Sequence, residues 1–301
     1  MATASAVDYA YLRSLVLDHS RNLLDPSRDY LFDSRLARLL RNQGMSRMEE
    51  LVEYLRTHSD PALERAVAEA MTINETSFFR DQRPFDLLRA ELLPRLIERR
   101  RASQTLRFWS AGCSTGQEAL SLAMLIREHF PQLLSWNIRI EGTDISSEVV
   151  DRARAGRYHR IEVNRGLPAL YLVKYFERAR EDWAARNEIH AMCSFRQANL
   201  CAPLPFSHPF DVIMLRNVML YFAQDTRRIL LENLYRLTAS DGVLILGVGE
   251  QATESSRWVP VIAGGTSYYK PVAKGGKQGS GIRKTLQENS AAGVPHPCSL
   301  V

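Results

Sequence analysis

From Val7 to about Ile73 the apolar side chains recur at steps of three and four: Leu12, Leu15 and Val16, then Leu36, Leu39 and Leu40, then Met48, Leu51, Tyr54 and Leu55, then Leu63, Val67 and Met71. A period near 3.6 puts each set on one face of a helix. The pattern therefore predicts an all-α N-terminal domain of four helices over residues 1–73. Its punctuation agrees: Asp33 and Ser34 precede the second helix and Gly44 follows it, while Asp60-Pro61 pairs an N-cap with a proline at the first helical position.

After Gln104 short apolar runs alternate with helical stretches, which is the pattern of strands joined by crossover helices. Strands are expected at Leu106 to Ala111, Ile138 to Thr143, Phe195 to Ala198, Phe210 to Leu215 and Val243 to Val248. Helices are expected at Gly116 to Phe130, Ser147 to Arg157 and Gln224 to Leu237. Trp258 to Ile262 and Thr266 to Pro271 flank Gly264-Gly265 and read as a hairpin. A parallel sheet finished by an antiparallel hairpin fits an α/β enzyme with a nucleotide-like methyl donor; a dinucleotide dehydrogenase needs a second mononucleotide half that this chain is too short to repeat. The organisation expected is a helical domain over 1–73, a sheet domain over 74–271 and a disordered, Gly/Lys/Ser-rich tail over 272–301.

Composition narrows the classes further. At 301 residues, 45% hydrophobic and 24% charged, the chain can bury a real core, which argues against wholesale disorder or a coiled coil. The net charge is +5, and +3 of it falls in Val272 to Val301, so the folded part is nearly balanced and nucleic acid is not the expected partner. Cys113, Cys193, Cys201 and Cys298 show no C-x-x-C spacing, against both zinc and a disulfide framework, and a reducing cytoplasm fits best. No basic segment leads into an apolar one at the start, and no window approaches the roughly 20 apolar residues of a spanning helix. No membrane insertion is expected.

Four segments carry candidate chemistry. Ala111 to Glu118 (AGCSTGQE) falls between a strand and a helix, where Gly112 lets the backbone approach a ligand and free helix N–H groups favour negative charge; a tight packing turn is the plain alternative. Asp144 closes a strand, placed either to accept two ribose hydroxyls or to cap the helix from Ser147. It lies 32 residues after Gly112, against the roughly 20 of a nicotinamide dinucleotide site. In Asn74 to Arg80 (NETSFFR) the polar groups either wall a pocket at the domain junction or Thr76 or Ser77 caps a helix ahead of two core phenylalanines. Leu215 to Phe222 (LRNVMLYF) stands at the carboxyl end of a strand, where ligands of open parallel sheets sit, so Arg216, Asn217 and Tyr221 face that ligand unless Tyr221 merely packs at a helix start.

In combination, NETSFFR, SAGCSTGQE and RNVMLYF resemble the chemotaxis receptor methyltransferases, the CheR family, over about Tyr9 to Pro271. The resemblance implies a Rossmann-like class I methyltransferase domain with a small β-subdomain around residues 160–194. It implies S-adenosylmethionine as methyl donor, S-adenosylhomocysteine as product, and glutamate side chains of chemoreceptor cytoplasmic helices as acceptors. It further implies that Asn74, Thr76, Arg80, Glu118, Asp144, Asn199, Leu200, Arg216 and Asn217 line the donor site, beside the turn at Gly112. The chain departs from the pattern at Gln117 and Ala119, where acidic and proline residues are common, and at Gly247-Val248-Gly249-Glu250, which replaces a serine-rich turn. A monomer is expected. The alternative from another class is a catalytically silent S-adenosylmethionine-binding regulator.

Transfer from a sulfonium to a carboxylate combines a cation with an anion, so a water-poor cleft favours it. A glutamate of ordinary pKa near 4.3 is already ionised at neutral pH, and no general base is required; none of the histidines falls in the four segments. Arg80 and Tyr221 are the candidates for orienting the acceptor through one oxygen while the other attacks.

Two further expectations concern the partner. Arg35, Arg38, Arg41 and Arg47 lie in Ser34 to Met48, a window without an acidic residue, although Met1 to Thr72 holds 9 basic against 11 acidic side chains. This face either docks on acidic receptor helices or is simply solvated. Leu167 to Ser194 contains no glycine, so a positive-φ turn that would present a strand edge to a receptor tether is not expected there.

Overall fold

The computed structural model describes residues 5–273. Four helices build the N-terminal domain: α1 (Ala6–Ser20), α2 (Tyr30–Asn42), α3 (Met48–Thr57) and α4 (Pro61–Ala70). Their apolar faces meet in one core, where Leu12, Val16, Phe32, Leu36, Leu51 and Val67 are at most 1% exposed. Asp60 caps α4 as its sequence suggests, its Oδ1 accepting the Leu63 amide at 3.0 Å ahead of Pro61. The start of α2 is a correction: the helix already runs at Tyr30, so Asp33 lies in its first turn. Its carboxylate is drawn to the Tyr9 hydroxyl at 2.8 and 2.9 Å instead of to a helix end.

Residues 71–82 then form no regular element. They lead into α5 (Arg83–Leu87), a π-helical turn (Leu88–Leu92) and α6 (Leu93–Arg99). The sequence pattern does not predict this helical stretch, because Pro84 and Pro94 interrupt it. Both stand near helix starts, where the missing N–H costs little.

The strands are β1 (Thr105–Ala111), β2 (Asn137–Asp144), β3 (Arg157–Tyr158), β4 (Phe176–Ala179), β5 (Asp182–Ala185), β6 (Cys193–Gln197), β7 (Phe210–Leu215), β8 (Thr238–Leu246), β9 (Trp258–Ala263) and β10 (Thr266–Pro271). Seven form one sheet in the order β6-β2-β1-β7-β8-β10-β9, parallel through β8 and closed by the β9-β10 hairpin. Successive residues of β1 face opposite layers. Leu106 and Phe108 join the core beneath α7 (Gln117–His129), whereas Trp109 and Ala111 join the core beneath α12 (Gln224–Leu237). β1 also marks the switch point, with β2 on one side and β7 on the other. The strand order reverses there, and the crevice beyond the strand ends opens there.

Between α8 (Ser147–Ala155) and β6 the chain inserts the small subdomain: β3, α9 (Arg160–Val163), α10 (Ala169–Tyr175), the β4-β5 hairpin and α11 (Asn187–His190). Its sheet runs β3-β5-β4, antiparallel throughout. Phe78 bolts it to the main domain, its ring edge-on to Tyr158 at 5.1 Å and to Phe176 at 5.5 Å. Gly166 backs directly onto that bolt; a Cβ there would fall 2.1 Å from the Phe78 carbonyl oxygen. The β4-β5 turn overturns the glycine argument, because Arg180 itself takes φ +63°. The lack of glycine therefore says nothing against strand pairing at the β4 edge.

Val272 is tied down, its carbonyl accepting the Tyr235 hydroxyl at 2.8 Å; the rest of the expected disordered tail, from Lys274 on, lies outside the described residues. Among the described residues, no helix is long and apolar enough to cross a membrane, and no cluster of His, Cys, Asp or Glu could hold a metal ion.

Candidate functional site

Strand register brings the motifs together. Ala111 pairs with Thr143 on β2 and with Leu215 on β7, so Gly112, Asp144 and Arg216 leave the sheet side by side. Asp144 in turn pairs with Gln197 on β6, which places Ala198, Asn199 and Leu200 along the same edge. These ends open into a pocket of about 890 Å³, counting its mouth. Every residue expected at the donor site lines it: Asn74, Thr76, Arg80, Gly112, Glu118, Asp144, Asn199, Leu200, Arg216 and Asn217, and with them Tyr221. Gly112 is required here, since φ is +79° and a Cβ would lie 2.5 Å from Cγ2 of Val218.

Asp144 is buried and is not the cap of α8, whose N-cap is Ser146. Its Oδ2 accepts the Ser114 amide at 2.9 Å and its Oδ1 the Ser146 amide at 3.0 Å. Burial pushes its carboxyl above the ordinary range, against the pull of those amides. Ser114, at φ +49°, also donates its hydroxyl to the Asn74 carbonyl at 2.7 Å, stitching the β1-α7 turn to the NETSFFR segment. That segment settles both of its readings at once. Phe78 and Phe79 are buried in the core, the polar residues face the pocket, and no helix starts at Thr76 or Ser77. Burial pushes the neighbouring Cys113 thiol well up, so it stays neutral at physiological pH.

Arg216 is buried between two carboxylates, donating through Nη1 to Glu118 Oε2 and through Nη2 to Asp81 Oδ2, both at 2.9 Å. The same Nη2 grips the Arg80 carbonyl at 2.6 Å. Glu118 completes its shell with the Ser110 hydroxyl at 2.7 Å. Asn217 sits at φ +60°, and its Oδ1 is buried with no hydrogen-bond partner. An orphaned acceptor in a pocket wall that also carries Asp144 and Glu118 suits a ligand bearing hydroxyl or ammonium donors and a positive charge. S-adenosylmethionine has all of these, so the residues fit the donor.

The helical domain closes the remaining side. Ser20 and Asn22, at the end of α1 and just beyond it, line the pocket, and sequence reasoning missed both. Asn199 Nδ2 donates to the His19 carbonyl at 2.9 Å, the Leu23 amide to the Tyr221 carbonyl at 2.9 Å, and Asn22 pairs with Phe222 in an isolated antiparallel bridge. Glu250, at the end of the Gly247-Val248-Gly249-Glu250 turn, does not line the pocket but accepts the amides of Gly247, Asn217 and Met219, a role its sequence does not announce. It holds the loop after β7 from behind.

The four arginines of the α2 region do not form one uncommitted face. Arg35 Nη1 donates to the carbonyls of Met71 and Thr72 at 3.0 and 2.9 Å, Arg38 pairs with Glu148 of α8, and Arg47 pairs with Glu50 at 3.1 Å. Of the four, only Arg41 makes neither an ion pair nor a side-chain hydrogen bond among the described residues.

Comparison with known proteins agrees with this geometry. Residues 74–267 match the family described as CheR methyltransferase, SAM binding domain, and residues 7–72 match CheR methyltransferase, all-alpha domain. Chemotaxis protein methyltransferase 1 of Pseudomonas aeruginosa is 34% identical over 253 residues, covering 82% of this chain and 91% of that protein. Chemotaxis protein methyltransferase Cher2 of Pseudomonas putida is 34% identical over 233 residues, covering 76% and 84%. A probable chemotaxis protein methyltransferase of Rhizobium etli is 30% identical over 248 residues, covering 81% and 92%.

Proposed function

The chain belongs to the CheR methyltransferase family, and from that premise we propose that it moves the methyl group of S-adenosylmethionine to glutamate side chains of chemoreceptor cytoplasmic helices. The products are a glutamyl methyl ester and S-adenosylhomocysteine. It acts as a monomer in the cytoplasm.

The observation that carries this reading is what lines the pocket: among the described residues no histidine or lysine does, its carboxylates Glu75, Glu118 and Asp144 are each already engaged by an arginine or by backbone amides, and Arg80 and Tyr221 are there to meet an acceptor. An acceptor needing deprotonation would call for a base at that wall. A carboxylate, ionised at neutral pH, does not. When bound, the donor supplies an electrophilic methyl on sulfur. Asp144 would accept its ribose hydroxyls, Leu200 and Ile145 would give its base an apolar wall, and the Asn217 Oδ1, which has no partner within the described residues, would take one of its donor groups. Arg80 is fixed through Nη1 to the Glu75 carbonyl at 2.8 Å and offers its remaining N–H groups to one acceptor oxygen, with Tyr221 assisting. The other oxygen forms the new O–C bond as the S–C bond breaks, and opposite charges are neutralised, a change that poor solvation favours.

Purified protein incubated with methyl-labelled S-adenosylmethionine and receptor-bearing membranes is expected to give label that alkali releases as volatile methanol. Alkali-stable label, or none, would refute the carboxylate acceptor.

A further inference from the structure

Arg80 faces two cavities. Besides the donor pocket it lines an open cleft bounded by Ser77, Arg83, Arg165, Gly166 and Val248, and Ser77 and Arg80 belong to both. Resting on the methyl-transfer reading, we propose that this cleft seats the acceptor, an acidic helical segment whose target glutamate reaches Arg80 from the outside while Arg83 and Val248 select its neighbours.

Continuity is the first argument. A methyl group held in one pocket must meet a carboxylate arriving from solvent, and the cleft meets the pocket at the residue assigned to orient that carboxylate. Charge is the second. The cleft is lined by three arginines, Arg80, Arg83 and Arg165, against one carboxylate, Asp81; Asp81 pairs at 2.9 Å with Arg216, which it shares with Glu118, Arg165 and Arg80 both act on Glu75, and Arg83 makes no ion pair among the described residues. The nearest bond of Arg83 is a long one, 3.5 Å to the Gly265 carbonyl. The cleft therefore presents uncompensated positive charge, which complements an acidic chain. Val248, 74% exposed on the rim, adds the apolar contact that an amphipathic helix would cover.

Backbone strain is the third argument. Phe79, Asp81 and Gln82 all take positive φ, at 49°, 59° and 22°, without being glycine. Such a run persists only where neighbours over-determine it. Here the Phe79 amide donates to the Ser121 hydroxyl at 3.0 Å, and Arg216 grips the Arg80 carbonyl and the Asp81 side chain. The strained loop is the segment that carries Arg80 and leads to Arg83. The α2 arginines, mostly paired within the protein, make a poorer dock.

The test uses the full chain and receptor-bearing membranes. Arg83→Glu and Val248→Asp are each expected to raise the receptor KM about tenfold, since they juxtapose like charge or bury an unpaired one, with S-adenosylhomocysteine affinity retained. Arg83→Glu should also flatten the salt dependence of that KM. An unchanged KM in both variants, with wild type active, overturns the cleft, and a KM raised instead by Arg41→Glu would move the dock to α2. Wild type that transfers no alkali-labile methyl overturns the parent reading and the cleft together, a result distinct from either.

Discussion

Glu250 holds Asn217 by the backbone. Its Oε2 accepts the amides of Asn217 and Gly247 at 2.7 and 2.8 Å, and its Oε1 accepts the amide of Met219 at 2.7 Å. One buried carboxylate thus fixes the loop that presents both Asn217 and Tyr221 to the pocket. Glu250→Gln substitutes an N–H for one acceptor oxygen, so at least one amide loses its partner, at about 1–3 kcal/mol. Both the melting temperature and the calorimetric affinity for S-adenosylhomocysteine should fall. Unchanged affinity would show that the loop holds its shape without Glu250.

Asp144→Ala should weaken donor binding strongly, because hydrogen bonds to a charged acceptor are worth about 1.5–3 kcal/mol each. Titration with S-adenosylhomocysteine checks it, and an unaltered affinity would take Asp144 out of the site.

Arg80→Ala and Tyr221→Phe are expected to lower turnover far more than donor affinity, if both act on the acceptor. Single-turnover rates at saturating donor separate the two quantities. A fully active Tyr221→Phe would leave the tyrosine hydroxyl without a role.

The buried Asp144 also sets a pH dependence. Desolvation raises its carboxyl above the ordinary 3.8. If Asp144 holds the donor's two hydroxyls, only its ionised form can accept both, so donor affinity should decline as pH falls, with the decline centred above 3.8. The stability effect has the opposite sense. A raised folded-state pKa contributes stability below the unfolded value and loses it as pH rises through the folded one. Calorimetry across acidic pH is expected to show proton release on S-adenosylhomocysteine binding; a flat profile down to 3.8 would contradict the shift.

Phe78 is fully buried among Tyr158 and Phe176. Phe78→Ala should cost about 3–5 kcal/mol and loosen the subdomain first, visible as faster amide exchange in residues 157–185. Uniform exchange would mean that the subdomain is anchored elsewhere.

The sequence made the site legible where a local motif meets a strand end. Gly112, Asp144 and Arg216 are each readable as the residue that follows an expected strand, and parallel register does the rest. What escaped depends on partners far along the chain. Nothing near Asn22 announces its pairing with Phe222, two hundred positions on. Arg35 reads as a surface cation until Met71 and Thr72 fold against it. Arg180 escaped for another reason: a tight hairpin can impose a left-handed conformation on an ordinary residue, so glycine content is an unsafe guide to turns. The π-turn helix before β1 was hidden by prolines whose position, not presence, decides their effect.

The bridge between Asn22 and Phe222 bears on modularity. The two domains have separate cores, and by architecture each is a unit that recombination could move intact. The seam removes that freedom. The loop bearing Tyr221 is paired on one side with a segment of the helical domain, so a methyltransferase domain transplanted without residues 7–72 would arrive with an unfinished wall. The two domains finish one wall together: a chain that loses its first domain is expected to keep the sheet and lose grip on the donor, which S-adenosylhomocysteine titration of residues 74–273 would register as weakened binding.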